Sequence, residues 1–138
     1  MKKITVLFAG LFFTLFLFAL GSYASARGLG RYDSFPGPQL VSPIADDIVL
    51  PAGSSLKFKW LCERMTTTDY YEFRLYKGYN MTADTLIKKD NIKPGDCEIE
   101  LSAESFEINQ VYTWSLKQVF LSGQKSDKSF VSFKITGR

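Results

Sequence analysis

The sequence predicts an all-β fold, a seven-stranded antiparallel β-sandwich, and three observations point there. Short runs alternate large apolar and polar residues with a period of two, the signature of strands that turn one face to a core. Turn signals built on Gly, Pro, Asn and Asp separate those runs. No stretch carries the spacing of a long amphipathic helix, although Ala103–Ile108 suffices for a single turn. The heaviest run is Val111–Val119 (VYTWSLKQV). Tyr112, Trp114 and Leu116 share one face and Thr113, Ser115 and Lys117 the other, which predicts a half-buried core strand.

Taken in order, Met1–Ala26 has the form of a secretory signal: Lys2 and Lys3 at the front, an uncharged apolar run over Ile4–Leu20, and a small-residue cleavage site at Ala24-Ser25-Ala26. The short Lys-Lys start is bacterial in style. At 17 residues the apolar run is also near the minimum for a spanning helix, so an uncleaved anchor is the other reading, and only then would the membrane be a partner. No Cys follows the run, which disfavours a lipid anchor. The expected location is therefore exported, periplasmic or extracellular, with cleavage after Ala26. Removal of residues 1–26 leaves 112 residues carrying 15 basic and 14 acidic side chains, a net charge of +1 against +3 for the whole chain. That balance gives no electrostatic case for nucleic acid. Fifteen of the 21 aromatic residues remain, enough for a sandwich core with some left over for the surface.

Residues 27–37 are rich in Gly and Pro and predict a flexible lead-in. The sandwich is expected over residues 38–136. Gln39–Pro43 is a short edge segment, because Pro38 and Pro43 deny it a central place. Asp46–Gly53 is a second one, ending in a turn. Ser55–Cys62 is a strand with Leu56, Phe58, Trp60 and Cys62 on one face, and Glu63–Asp69 is a polar connection. Tyr70–Lys77 points Tyr71, Phe73 and Leu75 inward, with Tyr70, Glu72, Arg74 and Tyr76 outward. A loop over Gly78–Asp84, a short strand over Thr85–Lys89 and a turn at Pro94-Gly95-Asp96 follow. Cys97–Leu101 places Cys97, Ile99 and Leu101 together, Ser102–Gln110 is a corner, and Leu121–Asp127 is a polar turn around Gly123. Lys128–Thr136 closes the fold with Val131, Phe133 and Ile135 inward. Trp60, Phe73, Tyr112, Trp114 and Phe133 are the expected heart of the core.

The order of these features resembles the fibronectin type III family, an immunoglobulin-like sandwich, here in the style of its bacterial exported members. Trp60 sits on the second strand before an aromatic third one, Phe106 lies six residues before Tyr112, and YTWSLKQVFLSGQKSDKSFVSF is similar to the last two strands. The likeness spans Pro38–Ile135. One departure is Ile108-Asn109-Gln110 where the family carries a proline-glycine corner. The resemblance implies that Cys62, at the end of the second strand, lies beside Cys97, at the start of the fifth. A structural disulfide there, in an exported setting, would contribute roughly 3–4 kcal/mol. Two buried free thiols are the other reading, and the lack of a Cys-x-x-Cys motif argues against a redox role.

The chain has no His, which removes Ser-His-Asp and Cys-His catalysis and most zinc sites. Asp46-Asp47 lacks the further oxygen ligands that calcium demands, and Glu98 and Glu100 fit solvated strand positions better than a glycosidase pair. No phosphate-binding glycine loop is present. The expectation is a non-enzymatic protein with no cofactor or metal: a small binding or accessory module of the cell envelope, contacting a protein through a sheet edge or end loops. A carbohydrate module using Tyr70, Tyr76, Tyr79 and Phe120 as stacking rings is the alternative, and a passive spacer the third. Against the second, Tyr70 and Tyr76 have a plain packing use over Thr113 and the stem of Lys117. The partner is thus an envelope protein or a polysaccharide.

Overall fold

In the computed structural model the described residues are 34–82 and 85–137; the signal expected over 1–26 and the first part of the lead-in lie outside them. The strands are β1 (Leu40–Ser42), β2 (Asp47–Val49), β3 (Ser55–Trp60), β4 (Thr68–Lys77), β5 (Thr85–Ile92), β6 (Glu98–Ser102), β7 (Val111–Phe120) and β8 (Ser129–Gly137), with one 3-10 turn at Ala103–Ser105. They form a three-stranded sheet in the order β1-β3-β6 and a five-stranded sheet in the order β2-β8-β7-β4-β5.

Eight strands, not seven, are present because both N-terminal edge segments are extended: β1 pairs with β3 on one sheet and β2 with β8 on the other. The β2–β8 pair is parallel, so the sandwich is not wholly antiparallel. The expected strand Thr85–Lys89 runs on to Ile92, through the pairing of Ile92 with Tyr71. Strand β7 is more than half-buried. It lies inside the sheet between β8 and β4, and its outward residues Thr113 and Ser115 are covered as fully as Trp114 and Leu116.

The core is aromatic and centred on Phe58. Its ring meets Phe73 at 5.2 Å, Trp114 at 5.3 Å and Phe133 at 5.9 Å, the first two edge-on. Trp60, Phe73, Tyr112, Trp114 and Phe133 are all buried. The Trp114 indole donates to the Pro43 carbonyl at 3.0 Å, so the crossing between sheets also satisfies a buried donor.

The corner before β7 closes without its proline and glycine. Asn109 takes the left-handed conformation (φ 63°), which Asn tolerates better than most residues. The Tyr112 hydroxyl accepts a hydrogen bond from the Glu107 backbone N–H at 2.7 Å, a tyrosine corner. Cys62 and Cys97 form a disulfide across 35 residues with their Cα atoms 5.5 Å apart. It ties the chain leaving β3 to the chain entering β6. This strand order, together with the tyrosine corner, is that of a fibronectin type III-like sandwich with β2 added along β8.

The lead-in expected to be flexible over 27–37 is fastened at its end. The Phe35 carbonyl accepts from Asp127 N–H at 2.7 Å, and the Phe35 ring packs on Phe120 at 4.8 Å. Gly37 lies so close to β8 that an added Cβ would sit 2.8 Å from the Asp127 carbonyl oxygen. The packed unit therefore begins at Phe35 and not at Pro38.

Candidate functional site

The four expected stacking rings do not converge. Tyr76 is 5 % exposed and covered by Lys128, whose Nζ lies 5.9 Å from the ring centroid. Phe120 is 6 % exposed beneath Phe35, and Tyr70 is half-buried at the start of β4. Only Tyr79 stands free, at 75 %, in the β4–β5 loop. Phe120 pairs across from Thr68 at one end of β4, whereas Tyr79 follows the other end. The expectation of open rings at Tyr76 and Phe120 is corrected by what covers them: the Lys128 ammonium in one case, the lead-in in the other.

The register that separates those rings assembles a different surface. Because Thr68 pairs with Phe120, the β3–β4 loop and the β7–β8 turn share one end of the sandwich with Phe35 and the disulfide. That end exposes Leu61, Met65 and Leu121, the last at 68 %. Beside them lies an open depression of ≈ 570 Å³ lined by Phe35, Pro36, Arg64, Thr67, Phe120 and Leu121, with Ser122 and Gln124 at the rim. The sequence hides this patch, because Met65 and Leu121 sit in stretches that are polar on average. The signal was present: a single large apolar residue inside a polar turn, with no strand phase to bury it.

This end is held rigid. The Arg64 carbonyl accepts from Thr67 N–H at 3.0 Å, Thr68 N–H at 3.1 Å and the Thr68 hydroxyl at 2.8 Å, closing the β3–β4 loop on itself. Gln118, buried under the loop, donates from its amide to the Glu63 carbonyl and to Thr68 Oγ1. The Leu121 N–H donates to the Thr67 carbonyl at 2.9 Å, joining loop to turn, and Gly123 at φ 82° closes the turn. Beneath the patch, the Trp60 and Tyr71 rings meet at 5.6 Å, and Trp60 Nε1 and the Tyr71 hydroxyl lack hydrogen-bond partners among the described residues. Burial pushes the Tyr71 hydroxyl above the ordinary tyrosine range, with the Glu63 carboxylate adding to it; nearby Thr68 opposes the shift but is not placed for a well-formed hydrogen bond.

The sheet edges are less inviting. β5 is an outer strand, yet its pairing with β4 breaks register twice, and Lys88 and Lys89 lie along it. Charges and bulges of this kind blunt an edge against strand addition. β6 carries Glu98 and Glu100, engaged with Lys57 and Lys59 on β3; the Lys59 and Lys57 ammonium groups hold the Glu98 carboxyl below its ordinary range. Among the described residues no group of three or more acidic or thiol side chains is placed to hold a metal ion.

No family model and no curated protein matches the chain. Among solved structures it is similar to the fibronectin(III)-like modules of Clostridium thermocellum CbhA, at 13 % identity and TM-score 0.48 over 72 % of this chain and 96 % of that one. It is also similar to a myokine, at 16 % identity and TM-score 0.49 over 76 % and 100 %. The fn3 domain of human contactin 1 is similar at 13 % identity and TM-score 0.44 over 81 % and 94 %.

Proposed function

We propose that this is a non-catalytic binding module of an exported chain, which holds a protein partner on the apolar end formed by the β3–β4 loop and the β7–β8 turn. The observation that carries the reading is the conjunction of exposed Leu61, Met65 and Leu121 with loops already fixed by backbone hydrogen bonds and a disulfide. A contact surface fixed in advance loses little conformational entropy on binding, and large apolar side chains beside a depression serve as its anchors. The Cys62–Cys97 bond supports a place outside the reducing cytoplasm. Sheet-edge pairing is disfavoured by the register breaks and lysines of β5.

The test is site-specific photocrosslinking in cells that make the full chain, with the reactive side chain at Leu121, at Met65, or at Lys57 on the opposite sheet. A discrete protein adduct from Leu121 and Met65 but not from Lys57 supports the reading. Equal adducts from all three positions, or none from the apolar end, overturn it.

A further inference from the structure

We propose that the outward face of the five-stranded sheet binds the carboxylates of an acidic polysaccharide, seated on Lys117, Lys128 and the Ser115 hydroxyl. The face is a grid fixed by register. Glu72 pairs with Lys117, Arg74 pairs with both Lys88 and Ser115, and Ser115 pairs with Phe130. Residues directly opposite in a ladder point to the same side, so these rows share one surface. At its centre is a depression of ≈ 140 Å³ lined by Glu72, Arg74, Tyr76, Ser115, Lys117 and Lys128.

Three features of that depression point to an anion. Its two carboxylates are already engaged: Glu72 is held by Lys125 at 2.8 Å, and Asp90, beside the depression, holds Arg74 at 2.6 Å. Lys117 and Lys128 have no carboxylate partner among the described residues, and Lys128 is positioned over Tyr76. Ser115 lines the depression, and its hydroxyl, which is not among the fully buried polar atoms, has no hydrogen-bond partner among the described residues. An open hydroxyl lining the same depression as two lysines without carboxylate partners can donate to an incoming anion.

Charge is also segregated. Residues 34–137 carry twelve cations and thirteen carboxylates, whereas the depression is lined by Arg74, Lys117 and Lys128 against Glu72, with Lys125 bound to Glu72 and Lys88 to Asp90. The surplus is thus local, too small in extent for the long phosphate track of a nucleic acid. The depression holds one charged group and no more, so the rest of the ligand must run along the sheet. There it meets Phe130, 58 % exposed in the same row as Ser115, a ring suited to the apolar face of a sugar. A polymer of uronic acids offers both: a carboxylate for the lysines and a ring for Phe130. This site lies away from the apolar end and does not depend on it.

The experiment is affinity electrophoresis of the full chain in non-ionic detergent at roughly 0.1 M salt, in gels containing polygalacturonate, polyphosphate or neutral dextran. The Lys117→Gln/Lys128→Gln variant is compared with Lys57→Gln/Lys59→Gln, which removes the same charge from the other sheet, and with Phe130→Ala and Ser115→Ala. Retardation by polygalacturonate that weakens about tenfold in the first variant, and by a smaller factor in Phe130→Ala and Ser115→Ala, supports the site. Unchanged retardation in Lys117→Gln/Lys128→Gln overturns it, as does equal loss in the Lys57/Lys59 control. Retardation by polyphosphate as strong as by polygalacturonate refutes the saccharide assignment. Absence of retardation in wild type refutes the site itself.

Discussion

Tyr112→Phe removes one oxygen atom and tests whether the corner before β7 is held as described. The ring is buried, edge-on to Phe106 at 5.2 Å and stacked on Phe133 at 5.8 Å, and Phe preserves both contacts. What is lost is the acceptor for the Glu107 N–H at 2.7 Å. A donor stripped of its partner inside a protein costs about 1–3 kcal/mol. Glu107 itself is exposed, so water reaches its N–H in part and the lower half of that range applies, about 1–2 kcal/mol. For a domain near 100 residues each kcal/mol lowers Tm by roughly 4–8 °C, so a fall of about 4–16 °C is expected. Thermal unfolding of the full chain followed by near-ultraviolet circular dichroism reads it. Asn109→Gly serves as the partner variant: it keeps the left-handed turn at φ 63° and should leave Tm unchanged or raise it slightly. A Tyr112→Phe protein that melts together with wild type would show that the hydroxyl contributes nothing and that the corner is held by packing alone.

Gly37→Ala forces a Cβ against the backbone of Asp127 and Ser129, at 2.8 and 2.9 Å, and should cost about 1–3 kcal/mol; an unchanged urea midpoint would deny that the lead-in is seated. Cys62→Ala/Cys97→Ala should lower stability by roughly 3–4 kcal/mol, and a loss under about 1 kcal/mol would contradict the loop-closure account. Asp90 gives a pH dependence of known sign. Burial alone would raise its carboxyl, but Arg74 and Lys88 outweigh burial and hold it below its ordinary 3.8. Its contribution is therefore complete above about pH 4 and is lost as pH falls through the lower folded value. Asp90→Asn should flatten the acid side of the stability curve from urea midpoints, and a variant whose curve parallels wild type would remove the pair as the cause.

Legibility in the sequence followed the physics of each element. Period-2 alternation on β3, β4, β7 and β8 marks the inward face because burial selects one side of a strand, and the Phe58-centred core is readable from it. The pairing of the two cysteines was legible only through the topology that the fibronectin type III resemblance implies; alternation gives each cysteine a face and no neighbour. Strand β2 was legible as a segment but not as an added strand, since three residues cannot declare which sheet they join or that they run parallel. The exposed end escaped for a different reason. Leu61 and Met65 come from the β3–β4 connection and Leu121 from the β7–β8 turn, and they share one end of the sandwich only through the Thr68–Phe120 register. The grid around Ser115 is likewise a product of pairing four strands. Its outward residues look like ordinary solvated positions until Glu72 and Arg74 are seen to be engaged and Lys117 and Lys128 are not. Tyr76 and Phe120 failed as open rings because one-strand alternation assigns a face but says nothing of what lies over it.

The parallel pairing of β2 with β8 decides how this domain carries load. Tension applied at the two ends of the domain pulls β2 toward its N-terminal side and β8 toward its C-terminal side. For parallel neighbours these directions oppose each other along the strand axis. The bonds that bracket the pair, Lys134 N–H to the Asp46 carbonyl at 2.7 Å and Leu50 N–H to the Gly137 carbonyl at 3.0 Å, are then strained together and cannot peel one after another. Such a joint resists shear until it fails as a unit, so a chain held at one end and gripped at the other would transmit force through a folded body. In single-molecule stretching, Ile48→Pro, which breaks the β2–β8 ladder at its middle, should lower the rupture force well out of proportion to its effect on equilibrium stability.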